Sequence, residues 1–326
     1  TQTSLTPASW RSSPQAQQAA PKSGLTLVAE LPLPGPANRF DYQSVDTASG
    51  RIYMNHMNAG STIVFDADSS RVVAEIPNVR RATGVLVVPA HHQVYISSGG
   101  SGNVAIVDDR TLRIVARVDD VLFPDGIGYA SHADKVFVSD EAGGNELVID
   151  PVRMKKRSLI RLGGEAGNTH YDSVSKCILV AVQTRNELVA IDPVREKVVQ
   201  RYKLAGSDHP HGFVIADEQR LAFVTSEESA KLQVLDLRTM RVLSELTVGG
   251  GPDVIAWDPG WRRLYVATEG GGLNTFWLDG TTLRSLGDIH ADNAHTVSVD
   301  PRTHRVFLPL QNVGGHPVLR IYQPSR

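Results

Sequence analysis

The chain has 326 residues, 41% hydrophobic and 21% charged, with a formal net charge of −2. That composition is ordinary for a globular protein, and the near-neutral balance gives no bulk attraction to nucleic acid or an anionic membrane. No window holds the ~18 consecutive apolar residues of a spanning helix. The single cysteine, Cys177, lies in the apolar run CILVAV, so no intrachain disulfide forms and the thiol reads as buried and inert.

Residues 1–23, TQTSLTPASWRSSPQAQQAAPKS, are Ser, Gln, Ala and Pro without periodicity and read as a disordered leader. A polar tail without an initiating Met ahead of a compact body suits an exported protein, periplasmic or secreted. The first apolar run is LTLVAELPLP, and after it the chain repeats. The repeat is aligned on Asp41, Thr83, Asp125, Gly167, His211, Asp253 and His295, at steps of 42, 42, 42, 44, 42 and 42 residues. Each complete copy carries four strand-length apolar runs; the copy opening at His209 has GFVIA, RLAFVT, KLQVLDL and RVLSELTV.

A second register supports the first. Asp66, Asp108, Asp150, Asp192 and Asp236 each lie 25 residues after an anchor, with Asp279 one place later in the sixth copy. An aspartate there suits the turn into the fourth strand. The last copy stops one strand short, and LTLVAELPLP resembles the missing fourth strand. The predicted fold is all-β, a seven-bladed β-propeller of residues 24–326 whose last blade is closed by the N-terminal strand.

The runs KVFVSDEAGGNELVIDP and RLYVATEGGGLNTFWLDG resemble the β-propeller repeats named after the tetrapeptide YVTN. The resemblance covers nearly all of the chain after residue 24. It implies a propeller; such propellers serve as binding scaffolds, surface proteins and enzymes, so it implies no single activity.

First strands line the central channel of a propeller, so the seven anchors are expected to ring its mouth. Sixteen residues after each anchor comes a further set, Met57, Gly99, Glu141, Gln183, Glu227, Glu269 and Gln311, expected on the same face farther from the axis. Asp41, Asp125 and Asp253 around one narrow mouth repel unless something neutralises them. Arg39 and Arg81, each two residues before an anchor, can do so; water can fill the mouth; or a cation can sit near the axis. His211, His295, Asp253 and Asp41 come from neighbouring blades and are the expected metal ligands. Imidazole with carboxylate favours Zn, Mn, Fe, Ni or Cu over Ca or Mg.

His209, in the loop that is two residues longer, and Glu227 are the candidate acid–base groups. Arg39, Arg81, Asp125, Glu141, His170 and Glu269 are candidate substrate contacts. His56 ends a second strand on the same face, and His91, His92, His132 and His304 fall on the opposite face, where solvation is expected.

No phosphate-binding glycine loop, GxSxG elbow or Cys-rich metal motif is present. The polar ring resembles, in general plan only, the gluconolactonase-like hydrolases and the virginiamycin B lyases, propellers that use a divalent metal. The expected activity is therefore metal-dependent opening of a lactone or ester in a small-molecule substrate, or a lyase reaction, by a monomer. The competing reading is a non-catalytic propeller that binds a ligand or protein. An iron oxygenase like the carotenoid-cleaving propellers would need four axial histidines, and this ring supplies two.

Overall fold

The computed structural model describes residues 24–326; the expected leader, 1–23, lies outside the described residues. Seven four-stranded antiparallel sheets follow one another in chain order, which makes the predicted seven-bladed propeller. Blade two shows the pattern, with strands Ala82–Val88, Gln93–Ser98, Asn103–Asp108 and Arg113–Val118 from axis to rim.

The middle strands are buried on both faces because neighbouring blades cover them: every residue of Gln93–Ser98 is buried. The rim strand Arg113–Val118 instead alternates exposed and covered positions, as a one-sided strand must. The apolar side chains collect into seven clusters, one between each pair of adjacent blades. Phe223 against Trp257 (ring centroids 5.1 Å) and Phe65 against Phe307 (6.2 Å) are two such blade-to-blade contacts.

The ring closes as the repeat predicts. Leu25–Pro32 pairs antiparallel with His316–Pro324, from Leu25 opposite Pro324 to Pro32 opposite Val318. One blade thus joins both ends of the described chain and leaves no unmatched interior edge. The turn aspartates also act as expected. Oδ1 of Asp66, Asp108, Asp150, Asp192 and Asp236 accepts the N–H two residues on, at 2.9–3.0 Å. Asp279 differs and pairs with Arg284 at 2.9 Å.

At the channel the strands are not regular. In blades two to six the pairing slips at the anchor: Ala82 faces Ser98, but Val85 faces Ile96, and the same step recurs in the other four. A bulge places two residues opposite one and re-aims the side chain at that point. In blade one the regular strand begins only at Gln43, and in blade seven it is Ser298–Val299. The residue after the anchor is Gly84, Gly126 or Gly212 in three blades. A Cβ on Gly84 would lie 1.9 Å from the Asp125 carbonyl oxygen, and one on Gly212 would lie 2.0 Å from that of Asp253, so neighbouring first strands can meet closely only without it.

Candidate metal centre at the channel mouth

Five of the seven anchors line one cavity of about 230 Å³ at the channel mouth: Asp41, Thr83, Asp125, His211 and Asp253. From the second register Met57, Glu141, Gln183 and Glu227 line it too, as do Arg39 and Arg81. Glu269, His295 and Gln311 line an adjoining depression that shares Arg39.

Asp253 is the hub. Its Oδ2 lies 2.8 Å from Nε2 of His295, and its Oδ1 lies 3.2 Å from Nε2 of His211. Asp41 Oδ1 stands 3.6 Å from the same His295 nitrogen. Ligand atoms of Asp41, Asp253 and His295 all fall within 4.8 Å of one another, and all three residues are buried. Three of the four expected ligands therefore converge. The fourth, His211, faces the other oxygen of Asp253, and its Nε2 is engaged by the Tyr42 hydroxyl at 2.9 Å.

Arg39 answers the charge problem in part. Its Nη2 lies 2.6 Å from His295 Nε2 and 3.6 Å from Asp253 Oδ2, and its Nη1 lies 3.2 Å from Glu269. The crowding at His295 Nε2 is chemically inconsistent. A guanidinium N–H needs the lone pair of that nitrogen, whereas the two carboxylates need a proton on it. Asp41 Oδ1 and Asp253 Oδ1 are buried without a directed hydrogen bond, and so is His295 Nδ1, although Glu269 lies 2.6 Å away. A cation in place of the guanidinium would accept the lone pair and both carboxylates. Asp41, Asp253 and His295 can thus hold a metal ion, and the donor set fits a transition ion.

Electrostatics sort the ring into two groups. Burial pushes His295 down, but Asp253, Asp41 and Glu269 outweigh it and hold the ring well above its ordinary range. A protonated ring and the Arg39 contact at 2.6 Å exclude each other, since the guanidinium needs the lone pair of that nitrogen. His211 is likewise driven up to about 10 against burial, chiefly by Asp253. Asp253 lies well below the carboxylate range because the two imidazoles overcome burial. Asp125 goes the other way: burial and the nearby Glu141, Asp41 and Asp253 raise it well above that range, against His211. Burial also raises Glu141 and Glu227, so these carboxyls retain protons more readily than free ones.

The remaining candidates separate. His209 is half-buried just ahead of the first strand of blade five, paired with Asp208 at 2.9 Å, and is not part of the cavity lining; its backbone carbonyl accepts from the Glu227 amide. His170 packs edge-on against Phe213, and burial lowers it to about 4, a neutral ring outside that lining. His56 stacks on Phe40 at 4.1 Å, and burial lowers it as well. On the far face His91 pairs with Asp134 at 2.6 Å and His304 with buried Asp258 at 2.7 Å, where solvation alone was expected. Cys177 is half-buried rather than fully buried, and burial raises its thiol.

Tyr42 was not anticipated. From blade one its hydroxyl reaches across the axis to Asp125 (3.3 Å) and His211 (2.9 Å) and accepts a hydrogen bond from Asn168 Nδ2, so it ties blades one, three, four and five together. Its signal was in the repeat: a large aromatic at the position after the anchor, where three copies carry glycine.

Among the described residues no helix is long and apolar enough to cross a membrane. No protein-family model matches the chain, and no curated protein matches it in sequence. Solved structures match it in shape. "Kuenenia stuttgartiensis Hydrazine Synthase" aligns over 89% of this chain and 96% of that one, with a TM-score of 0.74 and 16% identity. "Structure of U3-55K" aligns over 90% and 98%, with a TM-score of 0.77 and 8% identity. At such identities the likeness shows the fold alone, and the chain is a seven-bladed β-propeller.

Proposed function

We propose that the chain is a metal-dependent enzyme that opens a lactone or ester at the channel mouth. The observation that supports this best is the buried convergence of Asp41, Asp253 and His295 beside a cavity lined by carboxyls of raised proton affinity. A divalent ion held there would polarise a carbonyl oxygen and acidify a water. The protein's own part is to orient that triad and to supply protons. Asp253 stands between the two imidazoles and would offer Oδ2 to the ion beside His295 while Oδ1 faces His211 at 3.2 Å. Glu227 lines the same cavity and can carry a proton to a leaving alkoxide. His209, turned to Asp208, is the weaker acid–base candidate. Membership of the YVTN-repeat group rests on the two quoted runs.

The second reading is a binding propeller whose mouth is neutralised internally, and the Arg39 contacts favour it. A lactone and ester panel separates the two. The enzyme reading expects turnover that a chelator abolishes, that Zn or Mn restores, and that His295→Ala removes. Metal uptake without turnover on any substrate would support the binding reading.

A further inference from the structure

One wall of the cavity differs from the rest. The second register supplies Glu141, Gln183 and Glu227 to the lining from blades three to five, but in blade two that position is Gly99, which has no side chain to contribute. That vacancy is filled from the next blade. A Cβ on Gly99 would lie 2.6 Å from Phe123 Cε2, so the Phe123 ring lies against the glycine and takes the place of a side chain. The ring is held by a fixed backbone. The amides of Leu122 and Phe123 donate to Oδ1 of buried Asp140 at 3.1 and 2.9 Å, and Phe123 O accepts from Glu141 N at 2.9 Å.

Arg81 completes the wall. Its guanidinium lies over the Phe123 ring, 4.9 Å from the centroid. The backbone at Arg81 has φ +46°, a left-handed conformation unusual for Arg, and its carbonyl is anchored by Gly99 N at 3.1 Å. Arg39 in the same cavity is paired with Asp253 and Glu269, whereas the exposed Arg81 side chain meets no carboxylate within 4.0 Å among the described residues. Met57 adds a buried apolar surface from blade one. The Phe123 ring, the Met57 thioether and the unpaired Arg81 guanidinium therefore line the cavity from blades three, one and two, alongside Asp125 and Glu141, and the metal triad borders it from blades one, six and seven.

We propose that this wall is a recognition subsite for a flat apolar group bearing a carboxylate, so that the substrate is an amphiphilic aryl- or alkyl-carboxylate whose ester or lactone carbonyl reaches toward the triad. Phe123 and Met57 receive the apolar body, Arg81 clamps the carboxylate, and Gly99 makes the room. The substrate assignment rests on the enzymatic reading above; the subsite itself does not, because it shares no side chain with the triad.

Calorimetric titration of the metal-free protein with 3-phenylpropanoate, and with 3-phenylpropan-1-ol as its uncharged counterpart, tests the subsite directly. The carboxylate should bind more tightly than the alcohol. Arg81→Gln should weaken the carboxylate ~10-fold, the size of a lost charge-assisted hydrogen bond, and leave the alcohol unchanged. Phe123→Ala should weaken both probes. His295→Ala should leave both unchanged, and probe binding to a metal-loaded wild-type protein that turns over no lactone or ester would sink the enzymatic reading and spare this one. Equal affinity for the two probes, no heat from either at millimolar concentration, or carboxylate binding untouched in a folded Arg81→Gln protein would overturn the proposal. The melting temperature of each variant identifies a fold defect, and Arg81→Lys, which keeps the charge, should retain most of the carboxylate preference.

Discussion

Replacing Arg39 by methionine isolates the competition at the channel mouth. Methionine keeps an unbranched stem and removes the guanidinium that stands 2.6 Å from His295 Nε2 and 3.6 Å from Asp253 Oδ2. A metal entering the triad must displace that charge, so the wild-type affinity includes the cost of breaking the pair. At an effective dielectric of about 20, unit charges at the 3.6 Å separation attract by about 4–5 kcal/mol. The Arg39 side chain is 39% exposed, so solvent and the alternative partner Glu269 reduce the net term to about 1.5–3 kcal/mol. Arg39→Met should therefore bind zinc about 10- to 100-fold more tightly, measured by competition with a chromogenic chelator at neutral pH. The metal-free variant should also melt lower than wild type, since Asp253 and Glu269 lose a neutralising partner, and zinc should restore it. Unchanged or weaker zinc affinity would refute the idea that Arg39 occupies the cation's place, and would make it a support of the site instead.

Three other tests address the scaffold. Lys135, Arg157 and Ser158 of blade three outweigh burial and lower Glu196 of blade four to about 2. A carboxylate depressed on folding stabilises above its unfolded value of about 4.3 and loses that stabilisation as pH falls toward 2, so Glu196→Gln should cost up to ~3 kcal/mol in urea unfolding at neutral pH and nothing near pH 2. Phe307→Ala empties a fully buried ring position at the interface of blades seven and one and should cost about 3–5 kcal/mol in the same assay. Tyr42→Phe removes the hydroxyl shared by Asn168, His211 and Asp125 and leaves polar groups near the axis unpaired; a loss of about 1–3 kcal/mol is expected, and no loss would show that water replaces the hydroxyl without penalty.

The architecture was readable because a blade is a local unit. A 42-residue step, four apolar runs and a turn aspartate recur in the complete copies, with one step of 44, and the missing last strand was supplied at the other end of the described chain. The ring of anchors was readable for the same reason: residues at one register of a closed repeat share one radius. The chemistry at the axis depends on what the repeat does not encode. The bulge at the anchors of blades two to six is a backbone event without a residue signature of its own, apart from the glycines that lie against Asp125 and Asp253 and make close approach possible. Which oxygen of Asp253 meets which histidine is fixed by side-chain rotation, and it separates His211 from the triad. Arg39 was foreseen as a counter-charge, but its seat against His295 arises from contacts across 256 positions of sequence. His209 was singled out by the longer loop, and that loop turns its ring to the neighbouring Asp208. Tyr42 is legible as a break in the repeat, an aromatic where three copies carry glycine, but nothing in the repeat says which side chains its hydroxyl meets across the axis.

The most direct measurement is an anomalous difference map at the zinc absorption edge from crystals of the chelator-stripped protein soaked in zinc. A single strong peak bounded by Asp41, Asp253 and His295, with the Arg39 guanidinium moved off His295 Nε2, is the predicted result. A map without density at that position, with Arg39 still seated on the imidazole, would contradict it.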